Sequence, residues 1–286
     1  MALERLFSRL TFRSPPPVVA VVRLSGIIGP AAPLRPGMNL AGLAETLERA
    51  FAMNGLKAVA LAINSPGGSA AQSSLIMSRI RALAEERQVP VLAFIEDVGA
   101  SGGYWLALAA DEIWVNPNSI VGSVGVIYAG FGFNEALRKL GIERRLHTAG
   151  ERKSLMDPFL PERAEDVGRL SAVQREIHDN FKEVVRARRG RRLRAGEDDL
   201  FSGEFWVGKR AVELGLADGI GDLRGIVRDR FGKRVRLRAI GRRESWLRRR
   251  LGLPPARGGE AALGHGLADG LIGALEARAW WGRYGL

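Results

Sequence analysis

The stretch Leu56–Gly68, LKAVALAINSPGG, decides the fold. Leu56–Ile63 is an apolar run of strand length with Lys57 as its only charge, and it ends in the turn Asn64-Ser65-Pro66-Gly67-Gly68. A short run that is apolar at both odd and even positions predicts a strand covered on both faces. Beyond the glycine pair, Leu75, Ile76, Ile80, Leu83 and Ala84 fall at helical spacing. Working outward, Val18–Leu24 follows Pro15-Pro16-Pro17 as a β-branched strand, and Leu40–Met53 has helical periodicity. Downstream come a strand at Val89–Ile95, a short apolar helix at Tyr104–Ala109 and a strand at Ile113–Val115. Strands alternating with helices at this spacing predict parallel α/β layers. Helices are expected again at Asn134–Leu140 and Ala164–Arg189, a strand-like stretch at Arg144–His147, and a helix over Trp206–Leu214 stopped by Gly215.

The 286 residues, 46% hydrophobic and 26% charged, suffice for a substantial core. The chain has no cysteine, which excludes disulfides, thiol nucleophiles and cysteine-bound metals. Its three histidines, His147, His178 and His265, are too far apart in sequence for a local metal motif. The expectation is no metal and no cofactor. No uncharged apolar run approaches the roughly 18–20 residues that span a bilayer, and no cleavable leader opens the sequence. The expected location is the cytoplasm, peripheral to the inner membrane face of a bacterium.

The net charge of +12 is unevenly spread. From Asn64 to Leu160 the balance is −1, whereas Arg224–Arg250 carries +10, and a second cluster runs from Arg186 to Arg194. Clustered arginine suits anionic lipid or nucleic acid alike, and a solvated basic face is the plain alternative. The two ends favour lipid. Leu3, Leu6, Phe7 and Leu10 alternate with Arg5, Arg9 and Arg13, while Leu263, Leu267, Leu271 and Leu275 precede Trp280, Trp281 and Tyr284. Basic amphipathic ends with interfacial aromatics suit peripheral contact with an anionic membrane. Packing on a neighbouring subunit would use the same pattern. The expected division is an amphipathic basic arm over 1–17, a catalytic domain over 18–235, and a basic, Gly-rich amphipathic tail over 236–286.

Three glycine-marked turns carry the candidate chemistry. The NSPGG turn leaves backbone N–H groups free at a helix start, the raw material of an oxyanion hole. The second, Gly99-Ala100-Ser101-Gly102-Gly103-Tyr104-Trp105, places a serine between small residues where a strand turns into a helix. Gly99, Ser101 and Gly103 meet the G-x-S-x-G spacing of a nucleophile elbow, and a serine helix cap is the structural alternative. Neither His147 nor His178 sits in a turn that suggests a positioned base. The third turn, Thr148–Ser154, holds Lys153, one of six lysines against 37 arginines. A lysine can act as a general base where burial strips water from its ammonium, which arginine cannot do. Leu155, Met156, Pro158 and Phe159 could furnish that setting.

NSPGG, ASGGYW, VGSVGV and the G-x-x-K turn that ends in Pro158-Phe159, taken in this order, resemble the signal peptide peptidase A (SppA) family of serine–lysine proteases. The resemblance runs from about Val18 to about Leu223 and includes Lys209–Asp222 (KRAVELGLADGIGD). It implies a ClpP/crotonase-like α/β fold, a spiral of ββα units. It also implies Ser101 as nucleophile and Lys153 as general base, 52 residues apart in sequence. By the same resemblance Ser123 orients the lysine and the backbone N–H groups of Gly68 and Gly102 supply the oxyanion hole. The partners implied are peptide substrates and further copies of the chain, with sites at protomer interfaces. The expectation is a single copy of the pattern, where the longer relatives carry two in tandem, and a short amphipathic arm where many relatives begin with a membrane-spanning segment.

The function expected is therefore a serine endopeptidase acting on hydrophobic peptides, such as signal-peptide remnants, at or near the membrane. Two other readings stay open. One is a crotonase-type acyl-CoA enzyme, which shares paired glycine amides. The other is a non-catalytic scaffold that uses its basic ends on membrane or, less favoured, nucleic acid.

Overall fold

The computed structural model describes residues 15–29, 37–150, 152–241 and 278–285. The leucine-arginine arm at 3–13 and the leucine repeat at 263–275 lie outside the described residues. The first half of the chain alternates strands β1 (Val18–Ser25), β2 (Leu56–Ser65) and β3 (Val91–Ala100) with helices α1 (Leu40–Phe51), α2 (Ala70–Arg87) and α3 (Gly102–Ala107). Then come β4 (Glu112–Val115), β5 (Ile120–Gly122), α4 (Asn134–Lys139) and the 26-residue α5 (Ala164–Arg189). The last elements are α6 (Glu197–Leu200), β6 (Phe205–Val207), α7 (Gly208–Glu213), β7 (Gly219–Ile220), α8 (Leu223–Phe231) and β8 (Arg236–Ile240).

The strands form one sheet in the order β6-β5-β3-β2-β1-β8, with β4 pairing β3 and carrying β7. Every pairing is parallel except β5 with β6. The alternation within β2 explains its place at the centre. Val59, Leu61 and Ile63 point into the larger core with Ile76 and Ile80 of α2. Ala58 and Ala60 point the other way, into a smaller core closed by Val227 of α8. Small residues on one face let α8 lie close; large ones on the other fill the space beneath α1, α2 and α3. Each fully buried Leu or Ile contributes about 1.5–3 kcal/mol. This layered, doubly covered sheet with successive crossover helices is the ClpP/crotonase-like arrangement expected.

β3 is longer than the sequence reading and changes partner halfway. Leu92–Ile95 pairs with β4, whereas Val98–Ala100 pairs with β5. The bend between them is held by Asn64, whose Nδ2 donates to Asp97 at 2.6 Å and whose Oδ1 accepts from the Val98 N–H at 3.3 Å. The second half of β3 with β5 and β6 makes a small wing of this sheet, called the small sheet below, and Ser101 directly follows the C-terminal end of its β3 strand.

Two local expectations are corrected. Trp206 belongs to strand β6, not a helix, and α7 starts only at Gly208. The aromatic, β-branched trio Phe205-Trp206-Val207 finds a strand partner in β5, and tertiary pairing overrides its helical spacing. Arg144–His147 has no regular structure, because no neighbouring strand pairs with it among the described residues. β8 joins β1 just past residue 235.

The long α5 docks on the core through Trp105 and Phe181, stacked at 4.4 Å with 14° between the rings. At its C-terminal end Arg189, 3% exposed, makes a two-pronged ion pair with Asp218 at 2.7 and 3.1 Å. Asp218 also accepts from the Ile113 N–H at 2.7 Å, so this pair joins α5, β4 and the turn after α7.

Candidate active site

Ser101 follows the last residue of β3 and stands immediately before the first residue of α3, with φ 51° and ψ −123°. A serine in this region of backbone space costs about 1–3 kcal/mol and persists only where its surroundings fix it. Three contacts do so. The Ser101 N–H donates to the Gly122 carbonyl at 2.8 Å, and the Ser101 carbonyl accepts from the Trp105 N–H at 3.0 Å. From the third side Gly67 lies so close that a Cβ on it would stand 2.9 Å from Ser101 Cβ and 2.8 Å from Gly102 N. The Ser101 side chain makes no capping bond to α3. The hydroxyl is thus presented at a strained turn, and the structural alternative of a serine cap is not what is seen.

The NSPGG turn is brought to Ser101 by the segment after β1. Ile28 N–H donates to Gly67 O and Ser69 N–H donates to Ile28 O, both at 2.8 Å. Gly68, at φ 141°, sits between these bonds, where a Cβ would overlap the Ile28 carbonyl oxygen. Ser65 Oγ donates to Gly26 O at 2.7 Å, completing the attachment. Gly102 is buried beside Ser73 Oγ and Gly67 Cα. Gly67, Gly68, Ser101 and Gly102 therefore form one patch at the C-terminal ends of β2 and β3.

Ser123 is buried, with φ 54°, and its N–H donates to Glu204 O at 2.6 Å. It follows Gly122, the residue whose carbonyl holds Ser101, so the third motif adjoins the first two. Next to it, His178 Nε2 donates to Val124 O at 3.0 Å. That histidine serves to anchor the strand end on α5.

Lys153 is elsewhere. It lies exposed in a turn, its N–H donating to Gly150 O at 3.2 Å, on a largely solvent-facing segment, 127–163. Among the described residues no hydrogen bond or ion pair joins it to Ser101 or Ser123. The apolar neighbours expected to enclose it do not: Leu155 and Phe159 are 38% and 37% exposed. The turn is nonetheless ordered by its own contacts. Asp157 accepts from Phe159 N–H and from Arg144, each at 2.9 Å, and Arg144 lies 5.4 Å over the Phe159 ring. These bonds from Phe159 N–H and Arg144 hold the Asp157 carboxyl below its ordinary value.

Some of what shapes the patch was not singled out from sequence. Gly67 and the Gly122 carbonyl act on Ser101's turn and Asn64 on the bend of β3 before it, and Gly67 and Asn64 lie inside the NSPGG motif. Tyr284 and Trp281, expected to serve a membrane anchor, pack within the chain against Val98, Ala100 and Ile120.

A strained serine at a strand-to-helix turn, faced by a glycine turn from the adjacent parallel strand, has the form of a nucleophile elbow on a ClpP/crotonase-like sheet. Residues 84–231 match the sequence model described as Peptidase family S49, and the chain belongs to that family. It is 49% identical over 288 residues to a Brucella abortus protein named Na(+)/H(+) antiporter NhaA, covering 99% of this chain and 39% of that one. The transport name is attached to a protein most of whose length lies outside the match. Protease 4 of Haemophilus influenzae is 32% identical over 225 residues, 77% of this chain and 35% of its own. The chloroplastic serine protease SPPA of Arabidopsis thaliana is 30% identical over 213 residues, 72% and 31% respectively. The chain thus spans between 31% and 39% of the length of these relatives.

Proposed function

We propose that this chain is a serine endopeptidase that cleaves apolar peptides, signal-peptide remnants among them, with Ser101 as nucleophile and Lys153 of an adjoining copy as general base. The observation that carries this reading is the strained Ser101, followed by Gly102 and faced by Gly67, in a chain of a peptidase family. That membership also favours peptide over acyl-CoA chemistry.

Lys153, as the free amine, takes the proton from Ser101 Oγ, which attacks the peptide carbonyl carbon. The oxyanion that forms is held by the backbone N–H groups of Gly68 and Gly102, donors effective mainly on charge developed in the transition state. The Lys153 ammonium then passes its proton to the leaving amine, and the C–N bond breaks to give the acyl-enzyme. Water, deprotonated by Lys153, attacks the ester and releases the acid and Ser101. The Ser123 hydroxyl orients the lysine amine.

Two features support a dyad shared between copies. Lys153 is exposed in the single chain, and its segment displays Phe131 at 80%, Leu140 at 72% and Ile142 at 53% exposure. Apolar side chains so displayed on one segment call for a covering surface, and a second copy in a closed ring supplies one repeatedly. Burial in that interface would also remove water from the amine.

No helix among the described residues is long and apolar enough to cross a membrane. Contact with an anionic membrane at its cytoplasmic face, through the basic arm and tail, completes the proposal. The test is hydrolysis of an unstructured apolar peptide by the full chain. Ser101→Ala and Lys153→Ala should each lose about 10³-fold or more in kcat. Parental activity in both variants would overturn the dyad.

A further inference from the structure

The small sheet that presents Ser101 has two faces. On one, Val121 and Trp206 join the main core. On the other, Val98 and Ala100, both fully buried, form a cluster with Tyr284, and Ile120 and Trp281 pack at its margin. Phe205 of β6 meets the Tyr284 ring edge-on at 5.1 Å and 71°. The cover for this face comes from 278–285, far along the chain and beyond the 84–231 region of the family match. Ala100 is the residue immediately before Ser101. What presses on its side chain therefore bears on the backbone that must hold φ 51°.

We propose that Tyr284, with Trp281 beside it, is a positioning residue for the nucleophile: by filling the face over Val98 and Ala100 it keeps the end of β3 seated against β5 and Ser101 in its strained turn. The proposal rests on Ser101 being the nucleophile. The hydrogen bond from Ser101 N–H to Gly122 O restrains the turn within the plane of the small sheet, and Gly67 restrains it from the neighbouring strand. Tyr284 supplies the restraint perpendicular to that sheet. Its ring does this and its hydroxyl does not, because Tyr284 Oη is buried without a hydrogen-bond partner among the described residues. A buried hydroxyl left unpaired is a net cost, so phenylalanine in this slot keeps the packing and sheds the penalty.

The test compares the full chain with Tyr284→Ala, Tyr284→Phe, Trp281→Ala and Ser101→Ala, measuring kcat and KM per folded molecule alongside thermal unfolding. A small displacement of a nucleophile costs about 10- to 100-fold in rate. Tyr284→Ala is expected to lower kcat about tenfold or more with KM nearly unchanged, Trp281→Ala to lower it less, and Tyr284→Phe to match or exceed the parent in both kcat and unfolding temperature. Should Tyr284→Ala be too unstable to assay, Trp281→Ala and Tyr284→Phe carry the comparison. Parental kcat in Tyr284→Ala, or in Trp281→Ala when it alone can be assayed, overturns the proposal, as does a kcat loss in Tyr284→Phe, which would assign a role to the hydroxyl. Retained activity in Ser101→Ala would instead overturn the nucleophile assignment, a separate failure.

Discussion

The backbone N–H of Ser101 donates to the carbonyl oxygen of Gly122 over 2.8 Å, tying the turn after β3 to the end of β5. One residue further, Ser123 is tied to Glu204 before β6. Two serines at positive φ are thus each fixed by a backbone hydrogen bond within the same part of the sheet. The sheet is a frame for holding Ser101 in a conformation it would not adopt alone.

The glycine turns are needed as glycines because backbone meets backbone there. Gly68→Ala places a methyl on the Ile28 carbonyl at φ 141°, and Gly67→Ala places one 2.8 Å from Gly102 N at φ 107°. Each is expected to cost about 2–4 kcal/mol of stability and to lower kcat well beyond the loss of folded protein. Thermal unfolding together with kcat per folded molecule measures both effects. A Gly67→Ala protein with parental kcat would show that this turn does not set Ser101.

The Arg189–Asp218 pair is structural. Replacing Arg189 by Leu leaves the partly buried Asp218 with only the more distant Arg192, at 3.7 Å, and a loss of about 3 kcal/mol is expected. For a chain of this size that corresponds to roughly 10 °C in unfolding temperature. Arg189→Leu with Asp218→Leu should recover only part of the loss: the partly buried carboxylate goes with the arginine, while Ile113 N–H loses its acceptor. Activity per folded molecule should stay unchanged in both variants.

The Lys153 turn carries a pH dependence of known sign. Asp157 is held below its ordinary value by Phe159 N–H and Arg144, so its contribution to local order is complete above the ordinary carboxylate range. That contribution fades as pH falls through the lowered value. Amide protection factors of 152–160, each exchange rate taken relative to the intrinsic rate at the same pH, should therefore be high at neutral pH and fall in acid. Asp157→Asn should exchange faster at neutral pH and lose most of this acid dependence.

Much of this was legible in the sequence, for physical reasons that also mark where reading stops. β2 announces itself because burial on both faces demands an unbroken apolar run, and α5 because its pattern holds over Ala164–Arg189. The Ser101 turn is readable because glycines at such close backbone contacts cannot be other residues. β6 misleads, since a three-residue strand is defined by its partner β5 and not by its own pattern. The bend in β3 depends on Asn64, thirty-four positions before Val98. Tyr284 gives an amphipathic signal that fits lipid, subunit or sheet, and only tertiary structure places it on Ala100. Lys153's surroundings are likewise beyond one chain's pattern, because its apolar neighbours face outward here.

Co-expression of Ser101→Ala with Lys153→Ala chains tests the shared dyad most directly. Each variant alone is expected to be inactive on an apolar peptide. In randomly mixed closed rings, sites that pair an intact Ser101 with a neighbour's intact Lys153 arise in about a quarter of positions, and activity should return to about that fraction of parental. Mixed assemblies that stay as inactive as either variant would contradict a dyad built from two copies.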